Sequence, residues 1–294
     1  MLGAIIGDVA GSDLEVQEIK TKKEGNKRSY KDRIKIMDKN TPLFNDKCET
    51  TDDSCLTVAI ADAILNNIPY EEALKKYGKK ELEYGLDKYG RNRFGQGFTN
   101  WLNGNSKNDS YGNGCAMRIS PVGFLFNDIE EVKEQSRLAT ISSHNNLESI
   151  KCAEMIAVSI CLLKNGLSKE YVRNYVKINY PYFNLDFNLE YLRHNYTFTA
   201  RAIDSVPQAL FCFFESNDFE DAIRKALSIG GDADTIACIT GSLAEAHYGI
   251  PEELKEQVKP YLKDYMVPII EQFYKKEKQK IKRKWYNALR KIGK

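Results

Sequence analysis

Two short acidic clusters constrain this chain more than any other feature of its sequence. Residues 50–54 and 230–235 each place two aspartates and at least one hydroxyl directly before an apolar segment with helical spacing. An aspartate in such a position is usually an N-cap, which is the alternative interpretation of either cluster alone. Neighbouring carboxylates repel one another unless cations neutralise them, and oxygen ligands of this kind suit hard divalent cations. A fold that brings both clusters together could therefore hold two metal ions.

The segments that follow the clusters predict two helices whose N-termini meet at one place. After Asp53 apolar residues recur three and four positions apart, and after Thr235 the chain is rich in small residues. Ala237, Gly241 and Ala244 lie on one helical face and permit another helix to approach closely. Backbone N–H groups in the first turns can hold the carboxylates, which leaves the remaining lone pairs for ions.

The rest of the chain predicts an all-α fold in one domain. Apolar residues recur three or four positions apart along most of its length, and no alternating run is long enough to require a sheet. Glycine- and asparagine-rich stretches at 90–97 and 103–114 are typical of loops. The predicted helices are 3–11, 53–66, 70–83, 129–141, 147–164, 168–177, 199–215, 218–228, 235–248, 252–258 and 261–292.

Composition favours a cytoplasmic enzyme. Of the 294 residues, 42% are hydrophobic, which can fill a sizeable core, and the seven cysteines include no C-x-x-C pair and do not resemble a disulfide framework. Asp8 interrupts the short apolar run at the N-terminus, unlike a signal peptide. No apolar run approaches the roughly 18 residues of a membrane span. We expect a cytoplasmic monomer without integral membrane association.

Positive charge is concentrated in two segments, although the formal net charge is only +2. Residues 275–294 hold ten Lys or Arg against one Glu, and residues 17–40 hold nine against four acids. We interpret 1–274 as the main domain with a basic insertion at about 17–40, whose stretch from Glu18 to Lys39 is predicted to be a loop near the acidic clusters. Residues 275–294 are predicted to form a basic amphipathic helix. Both segments could meet an anionic partner, and solvated surface charge is the alternative.

Six short motifs follow one another along most of the chain. They are Gly3-Ala4-Ile5-Ile6-Gly7-Asp8 with Gly11, Ser12 and Glu15, then Thr51-Asp52-Asp53-Ser54, residues 110–118 with Pro121, Ser143-His144, residues 204–210, and residues 230–235 continuing to 251. In this order they resemble the ADP-ribosylglycohydrolases, the family related to the dinitrogenase reductase-activating glycohydrolase. Ala233 stands where the family motif usually has threonine, and the stretch between Glu15 and Cys48 is longer and more basic than the family pattern.

The resemblance implies a single compact orthogonal helical domain and a hydrolase that cleaves the bond at C1″ of the distal ribose of ADP-ribose. It implies two Mg²⁺ ions, with Mn²⁺ as a possible substitute, and a mobile glutamate at Glu15. The implied metal ligands are Thr51, Asp52, Asp53, Asp232, Asp234 and Thr235. The implied catalytic residues are Glu15, Asp53 and Asp234. The implied substrate-binding residues are Phe94, Gly95, Ser110, Tyr111, Gly112, Asn113, Gly114 and His144.

The group from which ADP-ribose would be released stays open at this point. A modified protein is the first expectation, and a modified nucleic acid is the alternative because of the basic segments. A protein that binds ADP-ribose without cleaving it, and a crystallin-like structural relative, are further alternatives, against which the intact set of acids and hydroxyls argues. Either Tyr111 or Phe94 could stack on adenine. Glu15 could instead be an ordinary surface residue, and His144 a buried structural histidine.

Overall fold

The structure is a computed structural model that describes residues 1–26 and 28–292, with side chains placed as far as residue 279. In this part of the chain the regular structure is α-helical, apart from two short 3-10 turns and two isolated bridges, and there is no β-strand. The helices are α1 (Leu2–Lys23), α2 (Tyr30–Lys35), α3 (Asp52–Asn66), α4 (Tyr70–Leu82), α5 (Gln96–Leu102), α6 (Gly114–Met117), α7 (Ser120–Leu125), α8 (Ile129–Ile141), α9 (Leu147–Lys164), α10 (Lys169–Asn179), α11 (Leu189–Asn195), α12 (Val206–Phe214), α13 (Phe219–Ile229), α14 (Ala233–Tyr248), α15 (Glu252–Val258) and α16 (Val267–Ile292).

The centre of the fold is a close contact between α1 and α14 that glycines make possible. Gly3, Gly7 and Gly11 lie one turn apart on α1. A Cβ atom built on Gly7 would lie 2.0 Å from the carbonyl oxygen of Ala237, and one built on Gly3 would lie 2.3 Å from that of Gly241. No side chain fits in such a space, so the small-residue face of α14 meets the backbone of α1. The sequence predicted a close approach at this face without identifying α1 as the partner.

The other helices surround this pair and enclose one continuous apolar core. Helices α12 and α13 pack against α14, α9 packs against α7, α8 and α14, and α4 packs against α3. All seven cysteines are buried, reduced thiols. None of the described helices combines the length and the apolar character needed to cross a membrane.

Most of the predicted helices are confirmed, and side-chain caps explain several of their starts. Asp128, Asn146, Ser168 and Asp218 each accept a hydrogen bond from a backbone N–H in the first turn of the helix that follows. Such caps satisfy donors that the helix itself cannot reach. The all-α, single-domain fold predicted from apolar spacing is therefore confirmed.

Several predicted boundaries are wrong. Helix α1 does not end at Gly11 but continues to Lys23, and the predicted loop from Glu18 to Lys39 begins in α1 and contains α2. The glycine is needed for packing and makes no turn, since a Cβ there would lie 2.4 Å from the Cα of Asp234. The predicted loop at 90–97 overlaps the start of α5. The predicted helix 199–215 consists of a short 3-10 turn, Ala202–Asp204, followed by α12, and the helix predicted to begin at 261 begins at 267.

The proposed boundary between residues 274 and 275 falls within α16. Side chains from residue 280 onward lie outside the described part of the structure. The basic amphipathic face of residues 275–294 therefore stays a prediction, as does the division of the chain at this point.

Two charged residues of the basic insertion are buried beneath the second acidic cluster. Arg33 of α2 donates to both carboxylate oxygens of Glu18 on α1, at 3.1 and 2.9 Å, and to the carbonyl of Arg193 at 3.0 Å. A Cβ on Gly230 would lie 2.4 Å from Glu18 Oε1 and 2.6 Å from Arg33 Cζ. The ion pair therefore fills the space beside the turn that leads into Asp232.

Replacing Arg33 by methionine should destabilise the fold. The substitution removes both hydrogen bonds of Arg33 to the buried Glu18 carboxylate and leaves it the longer 3.7 Å contact with Arg28. Breaking a buried pair in this way costs about 3–5 kcal/mol. Arg137→Met is the matched control, because it removes an exposed pair with Glu134 that contributes no more than about 1 kcal/mol. Chemical denaturation measures both, and equal losses would contradict the structural role of the Arg33–Glu18 pair.

Candidate active site

The two acidic clusters meet at one end of the α1–α14 pair. Asp53 lies in the first turn of α3 and Asp234 in the first turn of α14, and the Thr235 hydroxyl donates to Asp53 Oδ2 at 3.3 Å across the two helices. The carboxylates form two groups of three that share Asp234, and within each group one oxygen from every member lies within 4.8 Å of the others. The groups are Asp8, Asp53 and Asp234, and Glu15, Asp232 and Asp234. The predicted convergence of the clusters is therefore seen in the structure.

Asp8 holds the start of α3 and was not assigned to the site from the sequence. Its carboxylate accepts hydrogen bonds from the backbone N–H groups of Thr51 and Ser54, at 3.0 and 3.1 Å, and from both hydroxyls, that of Thr51 at 2.7 Å. The available signal was a single acid within an otherwise apolar and glycine-containing stretch of α1. A buried carboxylate in such a stretch requires partners, which the first turn of α3 supplies.

One oxygen of Asp53 is buried without any hydrogen-bond partner. Its Oδ1 atom has none, whereas Oδ2 accepts from the hydroxyls of Thr51 and Thr235 at 3.4 and 3.3 Å. An unsatisfied carboxylate oxygen in the interior is costly, and a bound cation would satisfy it. The donor set consists of carboxylates and hydroxyls, which fits a hard divalent cation.

Burial and mutual repulsion raise the pKa values of the clustered carboxyl groups. Burial raises the pKa of Asp8 to about 6, against the hydrogen bonds that it accepts. Burial, reinforced by the charge of Asp8, raises the pKa values of Asp52 and Asp53 well above the usual range. Burial and the charge of Glu15 do the same to the pKa of Asp234, and burial raises the pKa of Asp232. Nearby cations would return all these groups to the ionised form.

Glu15 lies on α1 and is held by an arginine from a distant turn. Arg91 Nη1 donates to Glu15 Oε2 at 3.1 Å, and Asp87 accepts from Arg91 Nε at 2.7 Å. Only 14% of the Glu15 side chain is exposed, so it is not an ordinary surface residue. Burial and the charge of Asp232 raise the pKa of Glu15 to about 7, although Arg91 opposes the shift. Arg91 was not predicted, because nothing in the local sequence relates it to Glu15.

A cavity of about 680 Å³ begins at the acidic cluster. Its volume is typical of sites for small molecules and cofactors. All the predicted catalytic residues and metal ligands line it. The predicted substrate-binding residues that line it are Phe94, Gly95, Ser110, Asn113, Gly114 and His144.

The two aromatic candidates for stacking differ in environment. The Phe94 ring is buried and lies 4.8 Å from the ring of Phe98, whereas the Tyr111 ring is half exposed and is not among the lining residues. Gly112 is likewise not a lining residue, and its N–H donates to the Ser110 hydroxyl at 3.1 Å. The choice between the two rings stays open.

The loop that ends in α6 is tied to the acidic cluster. Asn113 Nδ2 donates to Asp232 Oδ2 at 2.7 Å, and the N–H of Asn113 donates to the carbonyl of Ala200 at 2.8 Å. Asn113, predicted as a substrate-binding residue, therefore also holds a carboxylate. His144 lies on the other side of this loop with its Nδ1 atom 2.8 Å from the Ser143 hydroxyl.

A family model described as ADP-ribosylglycohydrolase matches residues 1–282. The chain belongs to the ADP-ribosylglycohydrolase family. The resemblance found in the sequence motifs is thereby confirmed, and the activity of the family is removal of ADP-ribose by hydrolysis.

Individual relatives are distant. The chain is 26% identical over 281 residues to the ADP-ribosylarginine hydrolase Tri1 of Pseudomonas putida, covering 88% of this chain and 72% of that protein. It is 26% identical over 186 residues to the ADP-ribosylhydrolase ARH3 of Danio rerio, covering 48% and 50%. A solved structure titled ADP-ribosylglycohydrolase-related protein complex aligns with a TM-score of 0.66 and 18% identity over 94% of this chain and 95% of that one. This last likeness shows the fold.

The raised pKa of Glu15 predicts how its contribution to stability depends on pH. The folded value of about 7 exceeds the ordinary value of 4.5, so the folded state binds this proton more tightly than the unfolded state. The contribution is complete below the ordinary value and is lost as pH rises through about 7. In chelator, Glu15→Gln should therefore become more stable relative to wild type between pH 4.5 and 7.5.

Denaturation at several pH values measures this difference in the free energy of unfolding. Glu134→Gln serves as the control, since Glu134 is exposed on α8 and, among the described residues, forms its ion pair with Arg137. A constant difference between Glu15→Gln and wild type would show that Glu15 is not perturbed by the acidic cluster.

Proposed function

We propose that this protein is a dinuclear magnesium hydrolase that releases ADP-ribose from a modified macromolecule by cleaving the bond at C1″ of the distal ribose. The observation that carries the proposal is the pair of carboxylate groups sharing Asp234 at one end of a cavity of about 680 Å³. A protein that only bound ADP-ribose would have no use for a buried, mutually repelling set of acids at the ribose end. Membership of a family of ADP-ribosyl hydrolases supports the same reaction.

Two Mg²⁺ ions, or Mn²⁺ in their place, fit the donor set. The proposed ligands are Thr51, Asp52 and Asp53 from the start of α3, and Asp232, Asp234 and Thr235 from the start of α14. Asp8 is a further candidate, since it lies in one of the two carboxylate groups. When bound, such ions orient the ribose hydroxyls and stabilise the charge that develops at the leaving bond.

Glu15 is the proposed acid–base residue. A general acid or base must lie within reach of the reacting bond, and Glu15 lines the cavity beside Asp232 and Asp234. Arg91 fixes the carboxylate beside the cluster, and Asp87 in turn fixes Arg91. Asp53 and Asp234 would act with Glu15 by holding the ions.

The far part of the cavity is proposed to hold the nucleotide. The N–H groups of Ser110, Gly112 and Asn113 already donate within the protein, so the other N–H groups of the 110–114 turn and the Ser110 hydroxyl are proposed to meet the diphosphate. His144 and Gly95 are proposed to bind beside them. Phe94 or Tyr111 stacks on the adenine.

A modified protein is the proposed carrier of the ADP-ribose. The relative Tri1 is an ADP-ribosylarginine hydrolase, which makes an arginine-linked conjugate the first to assay. The case for a nucleic-acid carrier is weaker than the sequence indicated, because Arg28 and Arg33 of the basic insertion both lie against Glu18, at 3.7 and 2.9 Å. Release of ADP-ribose from arginine-, serine- and nucleotide-linked conjugates, with and without chelator, tests the reaction and its carrier together. Absence of release from every conjugate in saturating Mg²⁺ would refute the proposal.

Asp234→Asn should lower turnover by several orders of magnitude without unfolding the protein. The amide keeps the size of the side chain but removes a charge that both carboxylate groups share, so at least one ion is weakened or lost. Asp62→Asn on α3 is the matched control, because Asp62 is also buried but pairs with Lys76 at 2.9 Å outside the cavity. Turnover near wild type for Asp234→Asn in saturating Mg²⁺ would contradict the two-cluster site.

Glu15→Gln should abolish or greatly slow release while leaving ADP-ribose binding nearly intact. The variant lacks the proton-transferring group, but the metal ligands and the 110–114 turn remain. Calorimetry with ADP-ribose and single-turnover assays separate the two effects. Glu49→Gln is the control, since Glu49 lines the same cavity but forms an ion pair with Arg93. Equal losses of affinity and rate in Glu15→Gln would indicate a ligand or folding role instead.

A further inference from the structure

Arg118, which follows α6, is a buried cation without an acidic partner. It is 0% exposed, and no described carboxylate lies within ion-pair distance of it. Its Nε and Nη1 atoms have no hydrogen-bond partner, while Nη2 donates to the Ala139 carbonyl at 3.2 Å and to the Ser143 hydroxyl at 2.7 Å. Burial lowers the pKa of Arg118 to about 10, so the guanidinium stays charged at neutral pH.

Other buried arginines of the fold are compensated. Arg33 pairs with Glu18, and Arg224 pairs with Glu220 at 2.6 Å. An uncompensated buried charge is expensive, and an apolar residue of similar volume is often at least as stable in its place. Stability therefore does not account for a charged residue at position 118. The side chain to which the described structure shows Arg118 donating is the Ser143 hydroxyl, so this contact is where a role for the charge is expected.

Ser143 passes the influence of Arg118 to His144. A guanidinium can only donate, so the Ser143 oxygen must accept from Arg118, and its single hydrogen is left for His144 Nδ1 at 2.8 Å. Because Arg118 is positively charged, its hydrogen bond to the Ser143 oxygen also makes the Ser143 hydroxyl a stronger donor to His144. If Nδ1 carried the hydrogen instead, the Ser143 hydroxyl would have no described acceptor for its own.

The remaining nitrogen of His144, Nε2, then carries a hydrogen. Burial and the charge of Arg118 hold the pKa of His144 well below its usual range, so the ring is neutral. Its Nε2 atom would lie 3.6 Å from a Cβ built on Gly112 and 3.5 Å from one built on Gly114. Nε2 therefore lies beside the 110–114 turn, and His144 lines the cavity.

We propose that Arg118 is a positioning residue that acts through Ser143 to hold His144 as the neutral Nε2–H tautomer, so that the ring donates to an anionic oxygen of the ligand. The identity of that ligand as ADP-ribose rests on the proposed function, whereas the tautomer does not. Arg118 also lines the cavity, and in this scheme it acts through its hydrogen bond to Ser143. Its role is to fix which nitrogen of His144 is the donor.

Imidazole nitrogen chemical shifts test the tautomer directly. The chain has three histidines, so ¹⁵N-histidine labelling gives three ring systems, and His144→Gln identifies the signals of His144. In wild type we expect a protonated Nε2 and an unprotonated Nδ1. In Ser143→Ala and Arg118→Met the fixed tautomer should be lost, while Ser143→Thr, which keeps a hydroxyl, should restore it.

The same variants test the link to ligand binding. The dissociation constant for ADP-ribose should rise roughly tenfold in Ser143→Ala and Arg118→Met, the size of one hydrogen bond to a charged group. The midpoint of thermal unfolding of Arg118→Met should stay near wild type, since no carboxylate is left unpaired. Ser136→Ala is the matched control, because its hydroxyl is buried on α8 without a partner; it should change neither tautomer nor affinity.

The outcomes separate this inference from the proposed function. A wild-type His144 protonated at Nδ1, or a tautomer unchanged in both Ser143→Ala and Arg118→Met, would overturn the positioning role. Failure of wild type to bind ADP-ribose would overturn the role of His144 as donor to this ligand. If wild type binds ADP-ribose and shows the Nε2–H tautomer but hydrolyses no conjugate, the proposed function fails and the positioning role stands.

Discussion

The approach of α1 to α14 is the contact on which the candidate site depends. Helices separated by ordinary side chains lie about 8–10 Å apart, whereas Gly7 and Gly11 bring the backbone of α1 against that of α14. At Gly11 a Cβ would lie 2.4 Å from the Cα of Asp234, so one of these close contacts falls on the second acidic cluster. Asp8 and Glu15, which flank Gly11 on α1, thereby reach the carboxylates of α14. The apolar core and the acidic site are built on the same helix pair.

The sequence predicted those parts of the site that are local in the chain. Each acidic cluster is a run of a few residues at a helix start, so the pair of matching clusters could be identified from the sequence as a candidate cation site. Asp8 and Arg91 were not predicted because their roles depend on hydrogen-bond partners that are distant in the sequence. The partner of Asp8 is Thr51, and that of Arg91 is Glu15. The sequence predicted that α1 ends at Gly11, because no local sequence rule distinguishes a glycine needed for packing from one needed for a turn.

Charge patterning was the least reliable guide, for a physical reason. Counting charges treats every lysine and arginine as solvated, but Arg33 is fully buried and bonded to Glu18. Part of the basic insertion therefore supports the Gly230 turn and does not face an anionic partner. The sequence cannot distinguish a buried arginine that pairs with a glutamate from a solvated arginine, since in both cases the arginine lies near acidic residues along the chain. The tertiary contact decides between them.

The position of Glu15 within α1 limits how this residue can move. It lies seven residues after Asp8 on one continuous helix, which fixes the separation of their Cα atoms along the helix axis at about 10.5 Å. Its backbone belongs to α1, whose preceding turns pack through Gly7 and Gly11 against α14, so a loop-like displacement of Glu15 would require the helix to unwind beyond Gly11. Movement of the carboxylate is then restricted to rotation about side-chain bonds and release from Arg91. Such rotations are intrinsically faster than the microsecond-to-millisecond displacements of lids, so release of Glu15 from Arg91 needs no lid-type displacement of α1.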